Sequence, residues 1–135
     1  MRRKFDLPEA DADHLRARGL TWETVVQARV RWLIIHDWPV PPGYNHTAVQ
    51  LALRIEPSYP TTQIDMAYFY PALARADGKA IRALANQTID RQQYQRWSRH
   101  RTAANPWRPG EDDLSTHLLQ VEEWLRRELT TKGLA

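Results

Sequence analysis

The stretch Val49-Gln50-Leu51-Ala52-Leu53-Arg54-Ile55-Glu56-Pro57-Ser58-Tyr59-Pro60 decides the fold. Val49, Leu51, Leu53 and Ile55 alternate with Gln50, Ala52, Arg54 and Glu56, the two-residue period of a half-buried strand, until Pro57 and Tyr59-Pro60 stop it. Upstream, Ala28, Val30, Trp32 and Ile34 share one face and Arg29, Arg31, Leu33 and Ile35 the other. Pro39 and Pro41-Pro42-Gly43 end that run, so one long or two short strands are expected from Trp22 on. Downstream, Met66 to Tyr70 reads as a short aromatic strand closed by Pro71. The connections are brief enough for an antiparallel meander of about four strands.

Helices flank this sheet. Pro8 to Arg18 carries Glu9, Asp11 and Asp13 early, Arg16 and Arg18 late, and ends at Gly19, the polarity that suits a helix dipole with a glycine stop. Leu114, Leu118, Val121, Leu125 and Leu129 fall at helical spacing, with Asp112 or Asp113 placed to cap the free N–H groups, and Trp124 lies off that stripe. Asp77-Gly78 marks a turn, Lys79 to Ala85 is expected to form a short helix, and Asn86 to Asn105 reads as an irregular polar loop. The fold class is therefore α+β, one domain over residues 1–135 with its core at about 7–129.

Composition narrows the chemistry. The chain has no cysteine, so disulfides, zinc–thiolate sites and a thiol nucleophile are all excluded. No run approaches the ~18 apolar residues of a membrane span, and a soluble cytoplasmic protein is expected. Sixteen of the nineteen basic residues are Arg, and Arg91, Arg96, Arg99, Arg101 and Arg108 occupy a window without acids, which should make a local positive patch. His14, His46 and His117 show no paired ligand spacing, and His36 reads as a strand-end histidine bonded to its surroundings; no metal and no cofactor is expected.

Within that window stands Trp97-Ser98-Arg99-His100, nine positions before Trp107-Arg108-Pro109. A serine hydroxyl stays protonated at neutral pH and needs a base within reach to attack an acyl group. His100 is the nearest one; on an extended segment its side chain and that of Ser98 would lie on the same side, about 7 Å apart at the Cα atoms. Arg99 or Arg101, or an amide of Asn86 or Asn105, could steady an oxyanion.

The order of helix, strand meander, Tyr59-Pro60, strand ending in Pro71, long segment, Trp107-Arg108-Pro109 and helix resembles the ubiquitin-conjugating (E2) fold, and most closely the prokaryotic E2-like family E, over about residues 7–129. Aligning Trp107 with the family's Trp-x-Pro puts the nucleophile position at or beside Ser98. Two departures stand out: the family's His-Pro-Asn reads Tyr70-Pro71-Ala72, and no cysteine can form a thioester.

The resemblance implies a bacterial E2-like transferase that accepts a ubiquitin-like β-grasp modifier from an E1-like adenylating protein and passes it on. The first helix would meet the E1. Ser98 would hold the modifier as an oxyester, with His100 as base and Arg99 beside it, while Arg96, Trp97, Arg101 and Trp107 would contact the partner. The serine either is native or replaces a cysteine. The alternatives are a noncatalytic E2-fold adaptor for the E1-like or ubiquitin-like protein and, further off, a nucleic-acid-binding domain built on the Arg window.

Overall fold

The computed structural model describes residues 1–131; residues 132–135, the end of the expected domain, lie outside the described residues. Helix α1 (Glu9–Ala17) precedes six strands, β1 (Trp22–Gln27), β2 (Val30–Pro39), β3 (Ala48–Arg54), β4 (Ala67–Tyr70), β5 (Leu84–Ile89) and β6 (Gln92–Trp97), and helix α2 (Leu114–Thr130) follows them. The strands form one antiparallel sheet in the order β1-β2-β3-β4-β6-β5. The expected meander is therefore its first four strands, and the β5–β6 hairpin is an addition.

That hairpin corrects two expectations. The described residues contain no helix over 79–85, and the supposed loop after Asn86 is paired strand as far as Trp97. The β5 and β6 sequences are polar because most of their side chains meet water; only Ile89, Tyr94 and Trp97 are buried. Both tight hairpins turn on non-glycine pairs with positive φ, Ala28-Arg29 at 50° and 66° and Asp90-Arg91 at 50° and 66°, the mirror-image turn that matches strand twist. Ala28 and Arg29 thus belong to a turn and not to the strand faces assigned from their alternation.

Alternation elsewhere sorts the side chains into two cores. Leu33, Ile35, Leu51, Leu53, Phe69 and Trp97 face the helices and pack on Leu15, Leu114, Leu118, Val121 and Leu125. Each such side chain contributes about 1.5–3 kcal/mol on burial. Trp124 belongs to the same buried helix face and is 7% exposed, so it extends the stripe. Asp113 is the N-cap of α2, in a reciprocal capping box with Thr116.

On the other face of the sheet Trp32, Ile34, Ala52, Tyr68, Ile89 and Tyr94 form a second cluster without a helix over it. The sheet curls to enclose them: Gln27 Nε2 donates to the Thr88 carbonyl at 3.1 Å and Gln27 Oε1 accepts from Asp90 N–H at 2.6 Å, joining the two hairpin turns. Arg2 clasps the seam, with Nε 2.8 Å from Glu23 and Nη2 2.6 Å from Asp90. The guanidinium's hydrogen bond holds the Glu23 carboxyl down at about 2.

Candidate functional site

Strand β6 delivers Ser98. The Ser98 N–H donates to the Ala83 carbonyl at 3.1 Å, prolonging the β5–β6 ladder by one residue, and the Arg99 N–H then donates to the Trp97 carbonyl at 2.9 Å. That three-residue turn takes the chain off the sheet at the serine. Ser98 is half-buried and its Oγ makes no hydrogen bond among the described residues. It opens into a cleft of about 350 Å³ walled by Arg82, Arg99, His100, Trp124 and Glu128.

His100 shares this cleft but is bonded elsewhere. Its Nδ1 lies 2.9 and 3.0 Å from the two oxygens of Asp65, which sits in the segment before β4. The turn at Ser98 replaces the extended Ser98-to-His100 segment expected from sequence, so the two side chains are brought to one cleft without a hydrogen bond between them.

Arg99, also lining the cleft, is fixed in place. Its guanidinium stacks 5.0 Å from the Trp97 ring centroid, donates to the Arg82 carbonyl at 3.1 Å and meets Glu128 at 3.2 Å. Glu128, only 6% exposed, also takes Arg75 Nη1 at 3.3 Å, and Arg75 in turn donates to the Glu128 carbonyl at 2.8 Å at the end of α2. A buried cation at the negative end of a helix, with orphan carbonyls to satisfy, is electrostatically well placed. Asp77 is bonded by the Lys79 N–H and then by Arg75, which together hold its carboxyl below the usual range.

The five arginines of the window do not gather into one patch; Arg99 and Arg101 line the cleft and the others lie elsewhere. Arg91 lies at the β5–β6 turn, at the far end of the hairpin from Ser98. Arg96 pairs in register with Tyr68, on the sheet face away from the cleft. Arg101 is nearly buried, 5.1 Å over the Trp107 ring with Nη2 3.4 Å from Asp112. Trp97 is fully buried and is a core side chain, correcting its place among the partner-contact residues. Trp107 is half-buried against Tyr59 and donates from Nε1 to the Pro60 carbonyl at 3.0 Å, so the two motifs that suggested the fold touch one another.

The remaining candidates are structural. Asn86 is inside β5 opposite Gln95, and Asn105 lies 3.5 Å from Arg101. His36 pairs with Glu23 at 2.9 Å as a strand-end histidine. His117, buried on α2, donates from Nε2 to the Met66 carbonyl at 2.9 Å, and burial pushes it down to about 4. No group of His, Asp and Glu among the described residues is arranged to hold a metal, and no helix among them is long and apolar enough to cross a membrane.

Sequence reasoning missed Asp65, Arg75 and Glu128, which lie far along the chain from Ser98. Asp65 carries no local pattern. Glu128 had a signal: it is an acid on the buried face of the α2 periodicity, and such a group needs a partner.

No curated protein and no solved structure matches the chain. A family model does, described as Prokaryotic E2 family E, and it covers residues 7–128. With the sheet, the flanking helices and the Tyr59-Pro60 to Trp107 contact in place, the chain belongs to the prokaryotic E2 family E.

Proposed function

We propose that this E2-like protein accepts the C-terminus of a ubiquitin-like modifier on Ser98 as an oxyester and passes it to an amine. The observation that carries the reading is that Ser98, whose Oγ is without a hydrogen bond among the described residues, and His100 line one cleft at the end of β6. Ser98 Oγ attacks the thioester carbonyl of a modifier held by an E1-like protein; the C–O bond forms, the C–S bond breaks, and the thiolate leaves on the E1. His100 Nε2 takes the hydroxyl proton as general base. Arg99 sets a positive charge against the tetrahedral oxyanion. In the second half an amine forms the C–N bond, His100 returns its proton to the departing Ser98 oxygen, and the amine's proton goes to water.

The test mixes the protein with an E1-like partner, ATP and a β-grasp modifier. The expected adduct resists thiol reductants, is cleaved by hydroxylamine, disappears in Ser98→Ala and becomes thiol-labile in Ser98→Cys. The lack of an Oγ–imidazole hydrogen bond favours a second reading, an adaptor that holds its partners noncovalently; it predicts binding with no adduct in any variant.

A further inference from the structure

We infer that Asp65 is a positioning residue that holds His100 in the tautomer with Nε2 unprotonated; the inference rests on the reading of Ser98 as acyl acceptor and His100 as its base. An ionised carboxylate has no proton to give, so the hydrogen in the 2.9 and 3.0 Å contacts belongs to Nδ1. A neutral imidazole carries one N–H, and placing it on Nδ1 leaves the Nε2 lone pair as the ring's only acceptor. That is the state a base needs before it takes the hydroxyl proton, and the same carboxylate then faces the imidazolium that forms.

The surroundings of Asp65 suit this role better than a structural one. The pair is open to water, with side chains 58% and 35% exposed, and ion pairs so exposed contribute little to stability. The segment bearing Asp65 is nevertheless anchored from below. Met66, next in sequence, has φ 60°, and its carbonyl accepts the buried His117 Nε2–H from α2 at 2.9 Å. An anchored backbone carrying an exposed carboxylate, aimed at a histidine 35 residues away beside the serine cleft, is an arrangement that orients a ring.

The experiment has two readouts on the intact chain. Ring-15N-labelled histidine NMR at about pH 8.5, above the ordinary imidazole range, should show His100 as the Nδ1–H tautomer, and Asp65→Ala should move it to Nε2–H. In single-turnover adduct formation, Asp65→Ala should lower the maximal rate by about 10- to 100-fold, part of a general base's usual contribution. The half-saturating concentration of E1-bound modifier and the Tm should stay unchanged, and Asp65→Glu should recover most of the rate. An unaltered tautomer in Asp65→Ala, or an unaltered rate alongside a Ser98-dependent adduct, overturns the inference. An adduct that persists in Ser98→Ala sinks the serine reading instead, and the tautomer measurement still decides what Asp65 does to His100.

Discussion

Acid should destabilise this protein before its carboxylates titrate, and His117 is the reason. The ring is 1% exposed, donates from Nε2 to the Met66 carbonyl and leaves Nδ1 buried without a partner, so a second proton would place an uncompensated charge in the core. Burial accordingly lowers the group from 6.5 to about 4. The unfolded chain takes up a proton below about pH 6.5 and the folded chain only near 4, so this contribution is complete above 6.5 and is lost as pH falls toward 4. At about 1.4 kcal/mol per pH unit the full crossing costs about 3 kcal/mol, a sizeable part of a stability of about 5–15 kcal/mol.

Other groups act elsewhere or with the opposite sign. Glu23 and Asp90, held low by Arg2, give up their contribution only below the ordinary carboxylate range. Asp11, raised by burial, gains on protonation and so opposes the trend. Subtracting the curve of His117→Gln, whose amide can still donate to Met66, removes both. Guanidinium unfolding followed by tryptophan fluorescence should show wild type losing about 2–3 kcal/mol more than the variant between pH 7 and 4.5. Parallel curves for the two proteins would refute the account.

Two further substitutions test the frame. Tyr59 Oη donates to Asp11 Oδ2 at 2.5 Å and accepts from the Leu114 N–H at 2.7 Å, bridging α1 to the start of α2. Tyr59→Phe leaves a buried carboxylate and an amide short of a partner, and should cost about 1–3 kcal/mol in urea unfolding. Arg91→Gly should do the reverse: Arg91 sits at φ 66° in the β5–β6 turn, and Asp90-Gly at that turn should raise stability by about 0.5–1 kcal/mol, read as a higher denaturation midpoint at constant slope.

The parts of the fold written in hydrophobic periodicity were legible. The β3 alternation, the α2 stripe and its Asp113 cap, and the acid-to-base polarity of α1 all appear where their patterns place them. The β5–β6 hairpin was not, because its buried residues Ile89, Tyr94 and Trp97 are few and its turn lacks glycine; Thr88, Ile89, Tyr94 and Trp97 around Asp90-Arg91 were the available cue. Ser98 and His100, singled out through their local segment, line one cleft. The Arg window misled because spacing cannot reveal partners: Arg99 and Arg101 are paired with Glu128 and Asp112, contacts that only tertiary structure creates.

One carboxylate, that of Glu128, serves both Arg75 and Arg99, and so ties the last turn of α2 to the residue that follows the serine. Sliding the helix by a single turn would carry Glu128 about 5 Å along the axis and take this carboxylate from both guanidiniums, leaving Arg75 with Asp77 alone. The trio is in effect a keyed joint: a chimera that borrows the terminal helix from another member of the family must bring compatible residues at 75, 99 and 128 together, or the wall of the cleft will come loose with it.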